Sequence, residues 1–104
     1  MKIQINTDNH IDGRVELAEE AEATVENTLG HLAEHITRVE VHLSDENSDE
    51  DAINNMRCMM EARLEGQQPI AVSDEAGSIS QALEGAAEKL KRSLDHTLGR
   101  LKDH

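Results

Sequence analysis

Ser78-Ile79-Ser80-Gln81-Ala82-Leu83-Glu84-Gly85-Ala86-Ala87-Glu88-Lys89-Leu90-Lys91-Arg92-Ser93-Leu94-Asp95-His96-Thr97-Leu98-Gly99-Arg100-Leu101-Lys102 is the stretch around which the chain is organised. Its apolar residues Ile79, Leu83, Ala86, Leu90, Leu94, Leu98 and Leu101 recur every three or four positions. At ~3.6 residues per turn that spacing draws one stripe along a helix of about seven turns. Ser78 is the candidate N-cap. The same stretch holds half of the chain's basic residues, at Lys89, Lys91, Arg92, Arg100 and Lys102. Five basic residues stand against twenty acidic ones before Lys89, a net −15, and five against two from Lys89 onward, a net +3. One helix is therefore expected to close the core and to carry the only positive patch the sequence offers.

Working outward, the rest of the chain supplies what that helix must cover. Lys2 to Thr7 alternates, with Ile3 and Ile5 on one side and Lys2, Gln4 and Asn6 on the other, which predicts a short half-buried strand. Arg14 to about His35 reads as a first helix, with Asp12 as its expected cap. Ala18, Ala21, Val25, Leu29, Leu32 and Ile36 share its inner face, and Glu16, Glu19, Glu20 and Glu26 point away. A second strand is predicted over Thr37 to Ser44, with Val39, Val41 and Leu43 inward and Arg38, Glu40 and His42 outward. Asn55 to Glu65 gives a third, its Met56, Cys58, Met60, Ala62 and Leu64 on one face, and Arg57, Met59, Glu61 and Arg63 on the other. Gly66-Gln67-Gln68 signals a turn, and Pro69 to Ser73 a fourth strand that opens on proline, where strands tolerate it.

The element order is thus β-α-β-β-β-α, an α+β chain. Strands with one apolar face and helices with one apolar stripe pack most economically as a four-stranded mixed sheet with both helices on one face. Strands two to four should form an antiparallel meander, and strands one and two, joined through a helix, should run parallel. A length of 104 residues suits a single domain, 1–104. The run Ser-Asp-Glu-Asn-Ser-Asp-Glu-Asp at 44–51 is apolar-free, and a mobile acidic loop is expected at about 44–52.

Composition limits the chemistry. Without Phe, Tyr or Trp the core must be built from Leu, Ile, Val, Ala and four Met, and no aromatic platform exists for stacking unpaired bases. The single cysteine excludes an internal disulfide. No apolar run resembles a signal peptide or a membrane span, so the sequence reads as a soluble, cytoplasmic monomer with no membrane partner. A net charge of −12 opposes general nucleic-acid binding, because phosphate contact depends on Lys and Arg. Any such contact must use the C-terminal patch.

The motifs that suggest catalysis or metal binding fail on inspection. His31-Leu32-Ala33-Glu34-His35 matches H-x-x-E-H, a zinc-protease pattern, but no third ligand is indicated and Leu32 belongs to the core stripe. Asp45-x-Asn47-x-Asp49 resembles the start of a calcium loop, then presents Glu50 where the turn needs Gly and Met56 where the bidentate Glu belongs. Cys58, flanked by strand alternation, should be a small buried hydrophobe and not a reactive thiol. No nucleophile elbow or phosphate-cradling glycine loop occurs. The expectation is no catalysis, no metal, no cofactor and no small-molecule substrate.

Three segments taken together resemble a known family. They are Val39-Glu40-Val41-His42-Leu43, Ala62-Arg63-Leu64-Glu65-Gly66-Gln67-Gln68-Pro69-Ile70-Ala71-Val72, and Ala82-Leu83-Glu84-Gly85-Ala86-Ala87-Glu88-Lys89-Leu90-Lys91-Arg92. In this order they are similar to the ribosome hibernation promoting factors, which include the ribosome-associated inhibitor A and the proteins once called sigma-54 modulation proteins. The resemblance implies a fold related to double-stranded-RNA-binding domains. It also implies a stress-response translation regulator that binds the small ribosomal subunit, its rRNA and ribosomal proteins, in the cleft used by mRNA and tRNA. Relatives do so with basic side chains on both helices; here the matching positions are Lys89, Lys91 and Arg92, with Arg100 and Lys102 farther along. The first helix departs from that pattern, carrying Arg14 and otherwise Glu, and the chain is expected to be a short form, without the extension with which long forms pair ribosomes. The alternative expectation is a diverged protein-interaction module of the same fold that uses its acidic first helix.

Overall fold

Alternation and helical spacing translate directly into the architecture of the computed structural model, which describes residues 1–8, 13–45 and 55–102. The order is β1 (Lys2–Thr7), α1 (Arg14–Leu29), a 3-10 turn (Gly30–Leu32), β2 (Ile36–Asp45), β3 (Met56–Leu64), β4 (Ile70–Ala76) and α2 (Ile79–Lys102). The strands form one sheet in the order β1-β2-β3-β4, with β1 parallel to β2 and the other pairs antiparallel. This is the expected β-α-β-β-β-α arrangement with a four-stranded mixed sheet.

Alternate residues of the central strands, Val39, Val41 and Leu43 on β2 and Cys58, Met60, Ala62 and Leu64 on β3, are buried. They meet Ala21, Val25 and Leu29 of α1 and Ile79, Leu83, Ala86, Leu90 and Leu94 of α2. Ala82 and Ala87 are buried as well, so the stripe of α2 is wider than the heptad-like spacing implied. Both helices therefore lie on one face, and the other face stays open. Ser78 caps α2 as expected, accepting the Gln81 N–H on its Oγ at 3.3 Å.

Beyond one-residue shifts at strand ends, such as β4 opening at Ile70 and not Pro69, four boundary differences bear on the fold. First, α1 stops at Leu29, not near His35, and the chain tightens through Gly30, the poorest helix former there after proline. Three-residue closures follow, from the Ala33 N–H to the Gly30 carbonyl (3.1 Å) and from the His35 N–H to the Leu32 carbonyl (2.9 Å), and the His35 carbonyl then accepts the Glu65 N–H (3.0 Å). Leu32 and Ile36 are still buried, but from the turn and from β2. Second, Gly13 occupies the N-cap position of α1, its carbonyl accepting the Leu17 N–H at 2.9 Å, while Asp12 lies outside the described residues. Third, β4 runs on through Asp74, Glu75 and Ala76, because β3 offers a ladder that pairs Cys58 with Asp74, Arg57 with Glu75 and Met56 with Ala76. Fourth, Asp45, expected inside the acidic loop, still belongs to β2, as does Ser44, where the strand and loop readings overlapped. Asp45 pairs with Met56, and its N–H donates to the Asp8 carboxylate at 3.0 Å. Residues 46–54, the rest of that expected loop, lie outside the described residues.

The α2 stripe is buried down to Leu94, half-buried at Leu98, and 43% exposed at Leu101. The helix thus outruns the core, and its end comes to the β3–β4 turn, where Thr97, Arg100 and Leu101 line a small concavity with Gln67. Gly66 makes that turn possible with φ 77°, a left-handed conformation that side chains disfavour. No helix among the described residues is long and apolar enough to cross a membrane.

Candidate nucleic-acid interface

The sequence nominates Lys89, Lys91, Arg92, Arg100 and Lys102, all on α2, and the helix sends Lys89 and Lys91 to opposite edges and Arg92 to an outer face. Lys89 reaches the edge strand. Its Nζ stands 2.9 Å from Asp74 Oδ1 and donates to the Ser73 carbonyl at 2.9 Å. This clip is possible because Gly85, one turn earlier, has no side chain: a Cβ there would overlap the Asp74 carboxylate. Lys89 is therefore partly occupied in holding α2 against β4.

Lys91 sits on the opposite edge, toward α1. Its Nζ is 4.0 Å from Asp95 Oδ2, and Asp95 Oδ1 is 3.4 Å from His31 Nε2 in the 3-10 turn. Arg92 points outward, its Nε 3.5 Å from the Glu88 carbonyl of its own helix. Arg100 is exposed beside the β3–β4 turn. Neither arginine has a carboxylate partner among the described residues, so these two are the cations of α2 most available to an outside anion. The backbone of Lys102 ends the helix. Over residues 89–102 the helix combines its unpaired arginines with the negative end of its own dipole, which their charge offsets.

The neighbouring helix has the opposite character. Glu16, Glu19, Glu22 and Glu26 of α1 are exposed, Glu20 accepts the Ser80 hydroxyl proton of α2 at 2.5 Å, and Arg14 is the helix's one basic residue. A polyanion is thus repelled from the α1 side and directed to the far half of α2.

A second cationic group was invisible to the sequence reading, which credited α2 with the only positive patch. The register makes Lys2 and Arg38 Cα partners across β1 and β2, and Arg38 and Arg63 Cα partners across β2 and β3. Three cations separated by 36 and 25 positions in the chain become one row on the open sheet face. Alternation placed each of them outward, but only pairing register could align them.

The candidate metal and thiol chemistry finds no support in the geometry. His31 turns to Asp95 and His35 to Glu34 (3.5 Å), so the two imidazoles of the H-x-x-E-H stretch do not converge. Among the described residues no three His, Cys, Asp or Glu side chains gather as ligands would. Cys58 is fully buried, and burial, with the Asp74 charge adding to it, pushes its thiol from 9.0 up to about 12.

Comparison with known proteins points the same way as the sequence segments. The sequence model of the family described as sigma 54 modulation protein / S30EA ribosomal protein matches residues 9–102. No curated protein sequence matches the chain. Among solved structures, a ribosomal subunit interface protein from Coxiella burnetii superposes with a TM-score of 0.74 at 16% identity, over 95% of this chain and 99% of that one. The N-terminal domain of Thermus thermophilus Protein Y superposes with a TM-score of 0.64 at 18% identity, over 93% of this chain and 99% of that one. At such identities these two likenesses speak for the fold, and the family assignment rests on the match over residues 9–102.

Proposed function

Since the chain belongs to the sigma 54 modulation protein / S30EA ribosomal protein family and is a non-catalytic, ribosome-associated protein, we propose that it binds the small ribosomal subunit in the mRNA/tRNA cleft. There it occludes decoding as a hibernation or stress factor acting in the cytoplasm. The contacts are made through rRNA phosphates by the far half of α2, with Arg92 and Arg100 as principal cations and Lys91 and Lys102 beside them. Lys89 contributes while it remains clipped to Asp74.

The observation that carries this reading is the contrast along the helical layer. The second half of α2 carries two arginines without carboxylate partners among the described residues, while α1 is acidic. Phosphate binding by a few such cations is strongly salt-dependent, because each contact releases condensed counterions. The chain should co-sediment with purified small subunits at low salt and detach as salt rises. Arg92→Glu with Arg100→Glu should weaken binding and flatten the dependence of log K on log salt by about one unit for each phosphate no longer engaged. Wild-type chain that stays in the supernatant at low salt ends the proposal.

A second reading, a protein-interaction module, draws on the exposed Glu16, Glu19, Glu22 and Glu26, which form an acidic surface suited to a basic ribosomal or regulatory protein. Cross-links recovered only to protein, with rRNA absent, would select it.

A further inference from the structure

The open face of the sheet sorts its charges by row. Lys2, Arg38 and Arg63 share one row across β1, β2 and β3, and Gln4, Glu40 and Glu61 share another, two residues farther along each of β1 and β2. Cation thus stands beside cation and carboxylate beside carboxylate, an arrangement that destabilises a sheet where exchanged partners would stabilise it. Arg38 donates to Glu40 at 2.9 Å and to the Gln4 side-chain carbonyl. Lys2 and Arg63 are exposed and make no ion pair among the described residues. Beside the row opens a concavity of about 310 Å³, lined by Thr37, Arg38, Arg63 and Pro69 together with Glu40 and Glu61. The Glu40 charge is taken up by Arg38; the Glu61 carboxylate disfavours an anion on its side of the concavity and leaves the cation row as the place for one.

The position of the row matters as much as its charge. Arg63 is followed within four residues by Gln67, and Gln67 borders the same small concavity as Arg100 near the end of α2. The sheet row and the unpaired end of α2 therefore flank the same β3–β4 turn, one from the open face and one from the helical layer. We propose that Lys2, Arg38 and Arg63 form a second phosphate-contacting site, so that RNA backbone grips this end of the molecule from both faces of the sheet. A phosphodiester strand crossing the strands meets a cation at each step of ~4.8 Å, and the guanidinium of Arg63 offers it a bidentate fork. The inference rests on the ribosome reading above, and it suits a chain inserted end-first between two RNA walls.

The test is binding of the full chain to purified small subunits across a salt series, for wild type, Lys2→Gln with Arg63→Gln, and Arg63→Lys. The double variant should bind several-fold more weakly at low salt and lower the salt slope by about two units. Its thermal midpoint should stay level or rise, because neutralisation relieves like-charge opposition. Arg63→Lys should keep the wild-type slope. An unchanged slope and affinity in the double variant, while Arg92→Glu with Arg100→Glu loses binding, overturns the second site and leaves the ribosome reading standing. Weaker binding with a lower midpoint and an unchanged slope also overturns it, since that is the signature of a purely structural role. Wild type that fails to bind subunits brings down both.

Discussion

Cys58 shows how far a single residue can be read. Strand alternation placed it inward, and it is 0% exposed, in the layer between sheet and helices. What alternation did not reveal is the partner across the ladder, Asp74, whose charge adds to burial in raising the thiol to about 12. Because the folded pKa lies above the unfolded one, Cys58 contributes fully to stability below about pH 9 and loses that contribution as pH rises toward 12. Through that window the unfolded state sheds the proton that the folded state keeps, so stability should fall by roughly 1.4 kcal/mol per pH unit from this group alone. Urea unfolding of wild type and Cys58→Ala between pH 9 and 11 checks this; parallel pH slopes in the two proteins would remove Cys58 from the account. Iodoacetamide should modify the thiol at a rate limited by unfolding, for the same reason.

At the scale of elements, the decisive contact is the seat of α2 on β4. Asp74 points toward the helices from an edge strand, a placement that discourages further strand addition, and Gly85 leaves it room to meet Lys89. Gly85 in a helix interior costs up to ~1 kcal/mol relative to Ala, so its presence must answer to this close approach. Gly85→Ala should destabilise the wild-type chain by about 1 kcal/mol or more, because displacing the carboxylate outweighs the helix-propensity gain. In an Asp74→Ala background the same change should reverse sign and stabilise by up to ~1 kcal/mol. A double-mutant cycle by urea denaturation measures the coupling, and additivity of the two substitutions would show that Asp74 does not depend on the space Gly85 leaves. The spacing of α2 and the alternation of β2 and β3 were legible because each side chain's direction follows from its own helix or strand period. The extension of β4 over Asp74-Glu75-Ala76 was not, because a neighbouring ladder, and no local propensity, makes those residues a strand.

The whole molecule carries −12, and among the described residues Arg92 and Arg100 of α2 and Lys2 and Arg63 of the sheet have no carboxylate partner. Self-repulsion on this scale opposes the compact state, and salt screens it over ~10 Å at 0.1 M. Raising NaCl from about 0.05 to about 0.5 M should therefore raise the thermal midpoint by a few degrees while it weakens binding to subunits. A midpoint that falls over the same range would mean that specific ion pairs, such as Asp74–Lys89, outweigh the general repulsion. The exposed carboxylates of α1 and the unpaired arginines of α2 lie on different helices, so an approaching polyanion is favoured on the α2 side.

The element order, the inward faces of the strands, the Ser78 cap, the α2 stripe and the family were all written in the linear chain. Each of these is encoded in local periods of two or 3.6 residues, or in contiguous segments such as Ala62–Val72. Which cations are available was settled by folding alone. Folding clipped Lys89 to Asp74, set Lys91 beside Asp95, left Arg92 and Arg100 without carboxylate partners among the described residues, and aligned Lys2, Arg38 and Arg63 across three strands. Those outcomes depend on strand register and helix docking, which bring together residues far apart in the chain. The α2 patch first read as the chain's single positive surface is thereby divided into clipped and available cations, and a second cationic row stands across the sheet from it.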